Sequence, residues 1–313
     1  MTPCKVSVVL PAYNEASTVA ETIAAFHEAV PEAWILVVDN DSSDETRRIA
    51  QEALERLGCP GEVISEPRRG KGNAVRRAFA DIDADIYVLA DADMTYPAAR
   101  ARDLIVPVAE NRADMVVGDR LATGRYASQN RRPFHNIGNR LVCWLINSLF
   151  HAHLNDIMSG YRALSRKFVC NYPILVEGFE IETDMSLHAL DKRFRILEIP
   201  VEYIDRAPGS ESKLRTFSDG AKVVFIIAQI LRYYRPLLFF GMVSLFCLVA
   251  ACLAGAPVIL DWLEYRYIYH VPLAILASGL VVVAVLVFCV GLILDSLTHH
   301  QRFSFERDLS ARP

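Results

Sequence analysis

No excess of positive charge marks this sequence: 33 Lys and Arg stand against 37 Asp and Glu, a formal net charge of −4. That balance excludes the basic surface a nucleic-acid partner requires. No Gly-x-Gly-x-x-Gly follows the first apolar run at Val6–Leu10, so the phosphate turn of a dinucleotide-binding dehydrogenase is missing. The seven cysteines (Cys4, Cys59, Cys143, Cys170, Cys247, Cys252 and Cys289) show no metal-ligand spacing. Their odd number reads as free thiols rather than a disulfide framework. No signal peptide is expected, because the apolar run after Lys5 stops at Pro11, too short for an h-region. No internal repeat or low-complexity tract is visible. The most informative absence is local: neither Leu237–Leu260 nor Val271–Leu294 contains an Asp, Glu, Lys or Arg.

Each of those stretches exceeds the roughly 20 apolar residues a helix needs to cross a hydrocarbon core. Neither shows the polar face of a buried core helix. The polar segment Asp261–His270 joins them into a helical hairpin. Arg232 and Arg235 precede the first span, and Arg302 and Arg307, with His299 and His300, follow the second. The connecting segment sets Asp261 and Glu264 against Arg266. By the positive-inside bias the connection lies outside and both flanks lie in the cytosol. The expected division is a cytosolic domain over 1–215, a juxtamembrane amphipathic helix over 216–235, a two-helix transmembrane hairpin over 236–296 and a cytosolic tail over 297–313. The chain is then an integral membrane protein with two spans, and membrane lipids are among its partners. Gly241, Gly255, Gly279 and Gly291 are compatible with close helix contacts and with a homo-oligomer, but they form no single small-xxx-small pair.

The first ~120 residues alternate short apolar strands with helical patterns, the pattern of βαβ units on a mostly parallel α/β sheet. Strands are expected at Val6–Leu10, Ile35–Val38, Glu62–Ser65, Ile86–Ala90 and Met115–Gly118, with another near Ile196–Tyr203. Helices are expected after Glu15 or Ser17, from Asp44 to about Leu57, around Ala74–Phe79, near Asn139–Phe150 and over Phe217–Tyr234. Asp39, Asp91, Asp93 and Asp119 all fall just past strand ends. In open α/β sheets that edge is where ligands bind.

Two constellations carry chemistry. Asp91-Ala92-Asp93 places carboxylates at i and i+2 after a buried strand, where they can share a hard divalent cation. A bridging Mg²⁺ or Mn²⁺ would hold an anionic diphosphate and stabilise it as a leaving group. The alternative is a pair of solvated turn aspartates. Gly70-Lys71-Gly72 is a glycine-containing turn before a helix, after the basic Arg68-Arg69. There backbone approach, the helix N-terminus and Lys71 favour a phosphate; the alternative is a solvated basic loop.

Pro11-Ala12-Tyr13-Asn14-Glu15, Asp39-Asn40-Asp41-Ser42, Gly70-Lys71-Gly72-Asn73-Ala74 and Asp91-Ala92-Asp93, in this order and spacing, resemble the family 2 inverting glycosyltransferases with a Rossmann-like GT-A fold. Downstream, Asp156-Ile157-Met158-Ser159-Gly160-Tyr161-Arg162 and Arg206 with Gly209–Leu214 resemble the dolichyl-phosphate mannose synthase and polyprenyl-phosphate glycosyltransferase branch. The resemblance implies a nucleotide-sugar donor, UDP- or GDP-linked, and a polyprenyl phosphate acceptor. It implies that Pro11, Tyr13, Glu15 and Asp39 line the nucleoside, that Lys71 serves the phosphates, and that Asp91 and Asp93 hold Mg²⁺ or Mn²⁺. The family usually has Asp-Asp-Gly-Ser where this chain has Asp39-Asn40-Asp41-Ser42, and often Gln where it has Thr95.

An anionic acceptor needs cations and neutral donors: Arg120, Arg206 and Lys213, with Ser212, His135 and Asn139, are the candidates, and Arg131 and Arg132 could meet the same phosphate or lipid heads. Asp93 and Asp156 are the expected catalytic carboxylates, Asp156 as base or orienting group, with Glu180 and Asp184 as rivals. No Gln-x-x-Arg-Trp motif of the polysaccharide-extruding relatives is present. Transfer to a diacylglycerol-type lipid or a glycan, or a non-catalytic membrane adaptor that keeps the fold, are the alternatives.

Overall fold

The computed structural model describes residues 4–122, 133–178, 180–202 and 219–311. The chain divides into two compact units, Met1–Phe217 and Ser218–Pro313.

The strands of the first unit are β1 (Val6–Ala12), β2 (Trp34–Asp39), β3 (Gly61–Ser65), β4 (Ile86–Leu89), β5 (Met115–Asp119), β6 (Arg162–Ser165) and β7 (Ile196–Pro200). They form one sheet in the order β3-β2-β1-β4-β6-β5-β7. All neighbours pair in parallel except β6, which runs antiparallel between β4 and β5. Val8, Leu10, Ile35, Val37, Val88 and Val116 are wholly buried. Their near-continuous apolar runs suit strands covered on both faces by helices.

Those helices are α1 (Val19–Ala29), α2 (Thr46–Leu57), α3 (Lys71–Asp81) and α4 (Ala101–Ala109), followed by α5 (Pro133–Phe150), α6 (Arg166–Cys170) and α7 (Ile181–Asp191). Val19, Ile23 and Phe26 make the buried stripe of α1, at the spacing a helix needs to keep one face inward. The helix begins later than Ser17 because the Thr18 hydroxyl turns away to the Ala92 carbonyl, at 2.9 Å. Asp44 stands before α2 rather than opening it, and its carboxylate accepts from the Thr46 N–H at 3.0 Å. β6 was not expected: it is four residues long and begins with a charged Arg162, so it carries no alternating pattern. β1, β2, β4 and β5 point the same way, so Asp39, Asp91, Asp93 and Asp119 gather along one sheet edge.

The second unit contains α8 (Asp219–Tyr234), α9 (Pro236–Tyr265) and α10 (Val271–Ala311). By length and composition α9 and α10 can each cross a membrane. They pack against each other where small residues allow it: a Cβ on Gly291 would stand 2.9 Å from that of Phe240, and the Ser244 hydroxyl donates to the Ala284 carbonyl at 2.8 Å. The connection is shorter than Asp261–His270. α9 continues through Tyr265, and Asp261 accepts from the Tyr269 and His270 N–H groups at 3.0 and 3.2 Å. The expected tail over 297–313 is helical as far as Ala311, so α10 has 41 residues. At ~1.5 Å per residue that is about 60 Å, twice what a hydrocarbon core needs.

His188 lies in an aromatic cage of Tyr172, Phe168 and Phe194, with centroids at 5.1, 5.9 and 6.0 Å. Burial holds its imidazole down to about 4, from an ordinary 6.5. The unfolded chain therefore binds this proton first on acidification. The stability it contributes is full above pH 6.5 and is lost as pH falls toward 4. Thermal melts at about pH 7 and about pH 4.5 should show a smaller acid-induced drop in His188→Phe than in the wild type.

Candidate active site

The carboxyl ends of β1 and β2 are stitched together by side chain to backbone bonds. Asn14, at φ 54°, donates its N–H to Ser42 Oγ at 3.0 Å and accepts from the Ser43 N–H at 2.8 Å. The Glu15 N–H donates to Thr46 Oγ1 at 2.8 Å. Pro11 and Tyr13 border this joint, and Asp39 is buried within it, receiving the Ser42 N–H at 3.4 Å. The Arg69 guanidinium stands 5.5 Å from the Tyr13 ring centroid and bonds Asp41 at 2.8 Å. Asn40, which replaces the family's second aspartate, has a physical reason to be an amide. It donates to the Glu66 and Arg68 carbonyls at 3.2 and 2.7 Å and accepts from the Gly70 N–H at 2.7 Å. A carboxylate could only accept. Beside it, hydrogen bonds from Arg68 hold the buried Glu66 carboxyl down to about 2.

Gly70 and Gly72 are required by close approach. At φ 123° Gly70 would bring a Cβ within 2.1 Å of the Glu177 carbonyl, and at Gly72 a Cβ would lie 2.2 Å from that of Val176. The tight packing turns Lys71 inward. Its ammonium bonds Asp91 and, at 2.6 Å, Glu182, with the side chain only 6% exposed. Burial alone would lower its pKa, but Asp91 and Glu182 outweigh that and raise it above the ordinary lysine range. Arg68 and Arg69 are the solvated part of this loop.

Asp93 is 4% exposed, and its Oδ1 accepts from the Thr95 N–H at 3.2 Å and hydroxyl at 2.5 Å. Thr95 thus orients Asp93. The Tyr96 hydroxyl accepts from the Gly160 N–H at 2.9 Å, and burial raises its pKa. Among the described residues no three metal-ligating side chains cluster. Asp91 and Asp93 are nonetheless hard oxygen donors, and a pair suffices for a cation that takes its other ligands from a diphosphate and water. The residues present fit that role.

Asp156 is fully buried and forked by Arg120, whose Nε and a terminal nitrogen lie 2.7 and 2.9 Å from its two oxygens. The Arg120 N–H adds a third bond at 3.1 Å. The turn holding Asp156 is braced from below by Arg162, also fully buried, which donates to the Ser159 and Ile157 carbonyls at 2.8 and 2.7 Å. Glu198 on β7 accepts the Asp156 N–H at 2.9 Å, and burial raises its pKa. Asp119 accepts the Leu121 N–H at 2.8 Å.

Among the rivals to Asp156, Glu180 is exposed and Asp184 accepts from the Tyr172 hydroxyl at 2.7 Å. Glu182, between them, is the one that enters the site. Sequence reasoning passed over it, together with Asn40, Tyr96 and Arg162. Its only signal is membership of an acidic run at a helix start. The side chains of His135 and Asn139, on α5, lie outside the described residues, as do Arg131, Arg132, Arg206, Ser212 and Lys213.

Comparison with known proteins agrees with this arrangement. The chain matches the family described as Glycosyl transferase family 2 over residues 7–170. It is 29% identical to the glycosyltransferase AglJ of Haloferax volcanii over 307 residues, 98% of each chain. It is 30% identical to a dolichol-phosphate mannosyltransferase of Pyrococcus furiosus over 217 residues, covering 67% of this chain and 59% of the relative. A crystal structure of glucosyl-3-phosphoglycerate synthase from Mycobacterium tuberculosis, with Mn²⁺, UDP-glucose and phosphoglyceric acid, superposes with a TM-score of 0.55 at 22% identity, covering 73% of this chain and 79% of that one. The sheet unit therefore has the GT-A fold, and the chain belongs to glycosyl transferase family 2.

Proposed function

We propose that this protein moves a hexosyl or N-acetylhexosaminyl group from a UDP- or GDP-sugar to a polyprenyl phosphate, dolichyl or undecaprenyl, at the cytosolic face of a membrane. The observation that carries the reading is the state of Asp156. A carboxylate with both oxygens taken by a buried guanidinium is poorly placed to accept a proton. An alcohol acceptor would need that base. A phosphate monoester, with a second pKa of ~6, arrives already ionised and needs none. The two apolar helices that follow the sheet unit suit a lipid-borne acceptor. The match to AglJ extends over both units, and the dolichol-phosphate mannosyltransferase is named for such an acceptor.

In this reading the nucleoside lies against Pro11, Tyr13, Glu15 and Asp39, and the diphosphate lies at the Asp91–Asp93 edge. Asp91 and Asp93 would hold Mg²⁺ or Mn²⁺, which neutralises charge on the departing diphosphate. The chain's part is to position two anions for in-line displacement at the anomeric carbon and to screen their repulsion. Asp156 acts as a positioning residue: it keeps Arg120 aimed, and Arg120, with Arg206 and Lys213, would meet the acceptor phosphate.

The assay is transfer of label from a panel of UDP- and GDP-sugars into the organic phase with dolichyl or undecaprenyl phosphate. Label should appear with one donor, vanish with EDTA, and fall in Asp93→Ala by more than the about 10–100-fold typical of outer-shell changes. Donor hydrolysis without lipid-linked label would move the acceptor to another lipid or glycan. Asp156→Asn should slow transfer yet keep the wild-type shape of the pH–rate profile; loss of one limb would restore a base. Asp156→Ala, which strands the Arg120 charge, should destabilise the fold by about 3–5 kcal/mol in denaturant titrations.

A further inference from the structure

Lys71, Asp91 and Glu182 come from three separate elements: the first turn of α3, the loop after β4 and the first turn of α7. Their side chains are unequally buried. Lys71 and Glu182 are 6% and 7% exposed, Asp91 27%. The ammonium therefore has one partner in the interior and one at the rim, and the rim partner belongs to the Asp91–Asp93 pair. Lys71 holds Oδ1 of Asp91, and Oδ2 lies beside Gly160, where a Cβ would come within 3.3 Å of it and 2.8 Å of the ammonium.

We infer that Glu182 is a positioning residue for the divalent cation: through the Lys71 ammonium it fixes the Asp91 carboxylate so that one oxygen belongs to the lysine and the other faces the metal. The inference rests on the reading of Asp91 and Asp93 as the metal-holding pair. Its physical basis is competition. A buried ammonium with no partner except Asp91 would draw that carboxylate's whole charge and compete with the cation for it. Glu182 balances the lysine independently, which leaves Asp91 able to share its charge. Glu182 bonds the Lys71 ammonium, and the effect passes through Lys71. Outer-shell groups that orient a metal ligand in this way typically matter by about 10–100-fold in affinity.

The test is Mn²⁺ binding to the full chain in detergent, read from the electron paramagnetic resonance of free Mn²⁺. It is run with Mn²⁺ alone and with UDP or GDP added. The variants are Glu182→Gln, Lys71→Met, their combination, and Asp93→Asn to identify the site. Glu182→Gln should weaken binding by about 10–100-fold in the wild-type background and change nothing when Lys71 is already Met. Affinity within about twofold of wild type would overturn the inference. So would an equal loss in both backgrounds, which would mean that the lost charge acts on the cation directly. If wild type shows no Asp93-dependent Mn²⁺ binding, the metal reading itself fails, a result distinct from either. Should Glu182→Gln lose the wild-type melting transition, Glu182→Asp, whose carboxylate is withdrawn by one methylene, carries the same expectation.

Discussion

A buried ammonium organises the ligand edge of this sheet. Lys71 reaches inward from the start of α3 and bonds carboxylates on the loop after β4 and on α7, groups up to 111 residues apart in sequence. A lone charge at that depth would be costly, and so would either carboxylate without it. Lys71 and Glu182 are buried together with Asp91 at the rim, and the backbone is shaped to let them. Gly70 and Gly72 let the 174–178 segment lie on the start of α3, and Gly160 leaves room beside the ammonium. A second buried pair, Arg120 with Asp156, is braced by Arg162 and Glu198. The edge is thus two charge-compensated clusters flanking the Asp91–Asp93 pair.

Chemically, such an edge keeps its inner charges in compensated pairs. Electrostatic stabilisation works best where the dipoles and charges are already fixed before the reaction begins. Here the fixing is done by main-chain carbonyls and buried carboxylates. The joint made by Asn14, Ser42 and Thr46 fixes the loops after β1 and β2 against each other. The second unit adds two helices that are long and apolar enough to cross a membrane.

Much of this was legible in the sequence, and the illegible part has physical causes. The strand-end aspartates could be read because a buried parallel strand is a run of apolar residues that stops abruptly at the ligand edge, as at Val38-Asp39 and Ala90-Asp91. β6 could not, since four residues opening on a buried arginine carry no period. Lys71 read equally as a phosphate ligand or as part of a solvated loop with Arg68 and Arg69; its inward turn goes with the packing of Gly70 and Gly72 against the Glu177 and Val176 carbonyls. Glu182 stood among Glu180 and Asp184 at a helix start, where helical phase cannot be counted from sequence. Asp261 looked like the end of a span, yet α9 runs on because that aspartate caps the turn beyond it. For Lys71 and Glu182 a contact distant in sequence overrode the local signal.

The central claim is that the Asp91–Asp93 edge binds a nucleoside diphosphate through a divalent cation. Calorimetric titration of the full chain with UDP and with GDP, in Mn²⁺ and in EDTA, tests it most directly, with Asp93→Asn as the comparison. The account predicts that one nucleotide binds at least about tenfold more tightly with Mn²⁺, and that Asp93→Asn removes the difference. Binding that is equally tight in EDTA, or that Asp93→Asn leaves unchanged, would contradict it.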